Sequence, residues 1–228
     1  ALAAGAAIHG KSPATSLDRA EGKWRVQTPR GSVSTDTVVL ATNGYTGSLW
    51  PRLRQSIVPF RTFHAATAPM SDNIAGSVLP GNHGLSDTRQ ALWAFRKDQG
   101  NRLITTAAPI SPFGASAKIA RTTKARLEEA FPQIGEIDIA HVWEGWIAMT
   151  PERLPRLHEL AGGVFAGLGY SGRGIAMATA MGASLAERVM GAPASAVAPP
   201  PSPIRTLPMH DIVAPLSRAL IGYYRWKD

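Results

Sequence analysis

Cysteine is absent from this chain of 228 residues. Disulfides, thiolate metal sites, thiol nucleophiles and any cysteinyl cofactor linkage are thereby removed. Long apolar runs are missing as well: none reaches the roughly 18 residues needed to span a bilayer, so no membrane partner is expected. Acids are sparse, 16 Asp and Glu against 24 Lys and Arg, for a net charge of +8. The basic residues are scattered and not interleaved with aromatics, which argues against a nucleic-acid partner and leaves attraction for an anionic ligand as the milder inference. The six histidines form no ligand-spaced pair, so no metal is expected. The amino terminus carries neither an initiator Met nor a charged region before its alanines, so it does not read as a signal peptide. It looks like a chain entered partway through, from a cytoplasmic protein.

What is present is a composition 44% hydrophobic, enough for one large or two modest domains. The most informative stretch runs from Gly163 to Gly191. Val164 to Leu168 is a short apolar run of the buried-strand kind, small and apolar residues recur at helical spacing from Gly174 to Val189, and Gly191 stops the helix. Gly167, Gly169 and Gly172 satisfy the G-x-G-x-x-G spacing of a dinucleotide-binding turn. That reading fails, because a second strand ending in an acid should follow about 20 residues on, and Pro193 to Pro203 cannot supply one. What remains is a helix start near Ser171 to Ile175, whose N–H groups and dipole favour something electron-rich. The glycines alone fit a tight turn and close packing equally well. Gly174, Ala178, Gly182 and Ala186, four apart, leave one helix side able to approach a neighbouring backbone closely.

In chain order, Ala1 to Ala7 predicts the end of a helix, with short strands near Ile8 and over Thr15 to Leu17. Trp24, Val26 and Thr28 alternate toward a Pro29-Arg30-Gly31-Ser32 turn, and Val33 and Thr35 resume. Val38 to Ala41 reads as a buried strand with Thr42-Asn43-Gly44-Tyr45 at its carboxyl end, where open α/β sheets bind ligands, though an ordinary core strand and turn fit too. Strands are expected at Ser56 to Pro59, Phe63 to Ala68, Ala91 to Arg96 and Arg102 to Thr106, a helix over Lys118 to Ala130, and a strand within Val142 to Thr150 that puts Trp143 and Trp146 on opposite faces. Pro151 to Pro155 reads as a rigid loop. Ile212, Leu216, Leu220 and Tyr223 share one face of an expected C-terminal helix.

The order of hairpin, VVLATNGYTG, antiparallel segments, WEGWIAMTPERLP and GLGYSGRGIAMATAMGASLAERVMG resembles the C-terminal portion of the D-amino-acid oxidase-like family of FAD-dependent oxidoreductases. It is most like the gamma-glutamylputrescine oxidoreductase branch. The resemblance implies a mixed α/β (α+β) fold: part of a Rossmann-like FAD-binding domain plus an antiparallel-sheet substrate domain, with the amino-terminal βαβ unit absent. On that division residues 1–50 and 151–191 belong to the FAD domain, 51–150 to the substrate domain, and 192–228 to a proline-rich linker and helix.

By the same resemblance, Ala41, Thr42, Asn43 and Gly44 approach the FAD, Ala14 lies by its adenine end, and Gly169, Tyr170, Ser171, Gly172, Arg173, Gly174 and Ile175 face the flavin ring. His64, Trp146 and Tyr170 are the expected pocket residues, and the catalytic group is unassigned. The implied activity moves a hydride from the carbon beside an amine to flavin N5, giving imine and hydrogen peroxide. Glycine oxidase-like members clamp a substrate carboxylate with arginines where this chain has Ile147 and Gly172, so an amine or polyamine conjugate is preferred over an α-amino acid. Arg173, one position away, could take up part of that role. Thr105-Thr106 stands where the branch often has two glycines. The expectation for this chain alone is weak or absent FAD binding, with a missing N-terminal segment or a partner chain supplying the nucleotide-binding half. The alternative is a catalytically incompetent fragment.

Overall fold

A computed structural model of the protein describes residues 1–88, 93–107, 115–213 and 216. Its strands are β1 (Ser16–Ala20), β2 (Lys23–Thr28), β3 (Gly31–Thr35), β4 (Val38–Leu40), β5 (Val58–Thr67), β6 (Leu85–Ser86), β7 (Ala94–Lys97), β8 (Leu103–Ala107), β9 (Ile139–Met149), β10 (Arg156–Ala161) and β11 (Val164–Leu168), and its helices are α1 (Asp72–Ser77), α2 (Ala115–Ala130) and α3 (Gly174–Val189). The chain divides into two compact units, Ala1–Val58 with Ile147–His210, and Pro59–Trp146 with Asp211–Asp228. The expected C-terminal helix lies largely outside the described residues.

The first unit opens with an antiparallel meander, β1-β2-β3. Glu21 and Gly22, both left-handed at φ 52° and 79°, make the two-residue turn that matches strand twist. Alternation along β2 buries Trp24, whose indole N–H donates to the Gly162 carbonyl at 2.9 Å. The second sheet has the order β10-β11-β4, with β11 antiparallel to β10 and parallel to β4. Strand β11 is apolar throughout because both its faces are covered: Ala166 and Leu168 pack with Leu40, Leu53, Ile57 and Ala148, while α3 lays Met181 and Leu185 beside Leu157 and Tyr170. Each fully buried side chain of this size contributes about 1.5–3 kcal/mol. Strand β10 was hidden in the sequence by the rigid reading of Pro151 to Pro155. The expected helix over Ala1 to Ala7 is a single 3-10 turn, Leu2–Ala4, closed by Gly5 at φ 79°, and no strand forms at Ile8.

The second unit is a sheet of order β6-β7-β8-β5-β9. The two strands expected around Phe60 are one, β5, since Pro59 sits at its start, where a missing N–H is tolerated. Period-two alternation sorts its residues. Phe63 and Ala65 turn to one face with Val142 and pack on Ile119 of α2, and Phe95 and Leu103 join Leu127 and Phe131. Thr62, His64, Ala94, Arg96, Thr106 and Trp143 turn to the other. Helix α1, unforeseen in the sequence, is capped by Ser71, whose hydroxyl accepts from the Ile74 N–H at 3.5 Å.

Candidate functional site

Parallel pairing of Val164, Phe165 and Ala166 with Val38, Val39 and Leu40 sets the carboxyl ends of β4 and β11 side by side. That is the edge at which open α/β sheets bind ligands. Ala41 and Thr42 are exposed there, and Gly44 is buried. Residues Asn43–Tyr45 form a 3-10 turn, tightened by the Thr46 hydroxyl donating to the Asn43 carbonyl at 2.7 Å and lying 2.8 Å from the Thr42 hydroxyl. Asn43 itself is left-handed, φ 43°, which Asn tolerates better than most residues. Its Oδ1 then accepts the Gly169 N–H at 3.0 Å, joining the two strand ends across 126 residues of sequence.

The glycine turn is pinned from its other side as well. The Ser171 N–H donates to the Ala148 carbonyl at 3.0 Å, the Ser171 hydroxyl accepts from the Thr150 N–H at 3.2 Å, and the Thr150 hydroxyl donates to the Leu154 carbonyl at 2.9 Å. The Arg173 guanidinium donates to the Arg153 carbonyl. The three spaced glycines have three separate jobs. A Cβ on Gly167 would meet Met181 Cγ at 2.6 Å, so that glycine lets α3 lie against β11. Gly169, at φ 84°, would meet Thr150 Cγ2 at 2.5 Å. Gly172, at φ 88°, faces open space.

Helix α3 begins in that open space. Its first intrahelical bond runs from the Met177 N–H to the Arg173 carbonyl, so the N–H groups of Gly174, Ile175 and Ala176 have no partner within the helix. Ile175 is 84% exposed beside them. Left-handed glycine backbone, unpaired N–H donors and an amide side chain converging on an open strand edge fit the electron-rich edge of a flat ring such as a flavin. Nothing equivalent serves a dinucleotide's pyrophosphate and ribose: among the described residues no strand, glycine turn, helix and returning strand with an acid is present. Ala14 is exposed ahead of β1, apart from the hydrogen bonds that join this edge. Tyr170 is buried in the α3 cluster, its hydroxyl donating to the Gly167 carbonyl at 3.3 Å and its pKa raised by burial.

On the outward sheet face of the second unit His64 stacks on Trp143, ring centroids 5.5 Å apart and planes at 12°. Burial, then the positive charge of Arg96, holds the His64 pKa below its ordinary value, so this ring is neutral at pH 7. Trp146, three residues from Trp143, falls on the opposite side of β9 by alternation and is not brought to His64. Trp143 and Arg96 are the residues sequence reasoning passed over; the register of β5, β7, β8 and β9 is the signal that finds them. Among the described residues there is no His, Cys, Asp and Glu cluster suited to a metal, and no helix is long and apolar enough to cross a membrane.

Residues 1–188 match the model of the DAO family, described as FAD dependent oxidoreductase. Curated relatives include a probable oxidoreductase OrdL of Rhizobium meliloti (strain 1021), 28% identical over 191 residues, 84% of this chain and 44% of the relative. A gamma-glutamylputrescine oxidoreductase of Escherichia coli (strain K12) is 28% identical over 167 residues, 73% and 39% respectively. The chain thus spans less than half the length of these relatives. Among solved structures, glycine oxidase from Geobacillus kaustophilus superposes with a TM-score of 0.66 at 19% identity, covering 83% of this chain and 50% of that one.

Proposed function

Because this chain belongs to the DAO family of FAD-dependent oxidoreductases, we propose that the Asn43 edge and the glycine turn seat the flavin ring of FAD in the oxidation of an amine. The observation that carries this reading is the hydrogen bond from the Gly169 N–H to Asn43 Oδ1, which makes one edge of two strand ends. Bound FAD would supply the redox chemistry, accepting a hydride from the carbon beside the amine, with an imine and, through oxygen, hydrogen peroxide as products. The chain's own part is positional and electrostatic. The N–H groups of Gly174, Ile175 and Ala176 would stabilise negative charge on the ring without reorganising. Asn43 and the Thr150–Ser171 pair hold the turn at its opening, Ala41, Thr42, Gly44, Gly172 and Arg173 frame it, and Tyr170 packs beneath it in the α3 cluster. With no cysteine in the chain, the cofactor is held without a cysteinyl link.

The substrate reading is an amine or polyamine conjugate, of the kind named in the Escherichia coli relative. Ile147 and Gly172 supply no guanidinium for an α-carboxylate, and an amine sheds its proton on entering apolar surroundings, so no protein base is required.

A ligand titration tests the seat. Lumiflavin and FAD should bind with similar, weak affinity and AMP should not bind, with Asn43→Ala weakening both flavins. FAD binding far tighter than lumiflavin, or flavin affinity untouched by Asn43→Ala, would sink it. A second reading, a chain that works beside a partner supplying the nucleotide-binding half, is favoured by the outward face of α3. Gly182 faces open space, Ile175 and Met190 are each 84% exposed, and β4 is the last strand of its sheet. Co-expression with the amino-terminal half of a family member should then yield a yellow complex; two colourless, separate chains would argue for the incompetent fragment.

A further inference from the structure

Most cations of the second unit's sheet have partners. Arg61 pairs with Glu144, Arg102 lies 3.6 Å from Asp98, and the Lys97 ammonium donates to the Ala75 and Val78 carbonyls. Arg96 is the exception: it is exposed, and no carboxylate among the described residues pairs with it. Its place follows from register. His64 lies opposite Thr106, Ala66 opposite Ile104, and Ile104 opposite Arg96, so Arg96 stands one row from His64 on the same face, with Thr106 between their strands. Thr106 is itself oriented, its hydroxyl accepting the Ala94 N–H at 3.2 Å. Across β5, Trp143 is 43% exposed against the His64 ring.

These groups divide the work of gripping a molecule that has a carboxylate and an apolar stem. A guanidinium without a carboxylate of its own offers a planar pair of donors to an anion, which a carboxylate matches bidentately. The neutral His64 ring adds no competing charge and leaves the stacked pair as a flat wall on which methylene groups shed water. The basic character of the chain draws such an anion in.

We propose that Arg96, with the His64–Trp143 pair beside it on the second unit's sheet, binds the carboxylate of an ω-amino acid or similar amine conjugate, and so prefers amines that carry an anionic group over simple diamines. The proposal deepens the amine-oxidising reading given above and rests on it for the role of the ligand. Binding is read on the full chain without flavin, so a failure at the Asn43 edge leaves the result untouched.

The probes are 4-aminobutanoate, glutarate and putrescine, followed by the ring resonances of 15N-labelled His64, assigned with His64→Gln. The two carboxylates should shift the His64 signals and putrescine should not. Arg96→Gln should weaken 4-aminobutanoate by about tenfold or more, and Arg96→Lys, which keeps the charge and loses the fork, by a smaller factor. Unchanged thermal melting of both variants shows that the sheet is intact. Equal response to putrescine, no response to either carboxylate at ~10 mM, or full binding by Arg96→Gln overturns the assignment.

Discussion

The Asn43 edge is built of backbone and the His64 face is built of side chains. At the edge, left-handed residues and N–H donors fix the shape, and side chains enter mainly to brace the main chain, as Asn43 does for Gly169. On the face, a regular sheet merely presents rings and a cation, and their arrangement depends on which residues happen to sit opposite one another. A backbone site is therefore intolerant of added atoms. A side-chain site tolerates them and changes what it binds.

Gly169→Val is the harshest way to test that contrast. At φ 84°, with Thr150 Cγ2 2.5 Å from the new Cβ, the substitution should cost about 3 kcal/mol or more, read as a drop in the midpoint of chemical denaturation. A variant as stable as the parent would show that the turn is not set by its main chain. Asn43→Ala removes the acceptor for a buried N–H and should cost about 1–3 kcal/mol, with a matching loss of lumiflavin affinity.

Acid should separate the two units next. His158 of β10 is fully buried, its Nδ1 2.6 Å from the Ser202 carbonyl and its Nε2 without a partner. Burial, against the raising effect of the Ser202 carbonyl and with the Arg156 charge, holds its pKa below 6.5. The folded state thus prefers the neutral ring, so the stability it contributes is present above the unfolded pKa and is lost as pH falls from there toward the lowered folded pKa. Thermal melts of the first unit should fall through that range, and His158→Phe should flatten the fall; an unchanged slope would remove His158 from the account. The mildest change is Trp143→Ala. With the ring 43% exposed, stability should move by less than about 1.5 kcal/mol, while the His64 pKa, freed of part of its burial, should rise toward the ordinary value in an NMR titration.

The same contrast decides what could be read from the sequence. The edge was legible because its parts are local and its residue types are unusual: Val38 to Leu40, Asn43-Gly44, the apolar run to Leu168, the spaced glycines and the periodic α3. The bond between Asn43 and Gly169 was not, since no spacing rule links residues so far apart. On the face, His64 stands out in the sequence as a lone histidine, and Trp146 is the tryptophan of that strand expected at a pocket. Only the pairing of β5 with its neighbours shows Trp143 on that side. Tyr170 was expected at a pocket, and the packing of α3 against β11 is what buries it. Strand β10 follows a loop with two prolines, and α1 is only six residues long, too short for periodicity to reveal; its Ser71-Asp72 cap was the signal available.

One bond on the Asn43 edge also sets a timetable. The first unit is interrupted between Val58 and Ile147, so a ribosome that has delivered Asn43 must synthesise 126 further residues before its counterpart arrives. Local pairings such as the β1-β2-β3 meander can form at once, whereas β4 must wait with its apolar strand unmatched, at a loop-closure cost that slows the search. The edge is therefore completed near the end of folding, and damage to β11 or α3 should leave much of the chain folded but unable to close it.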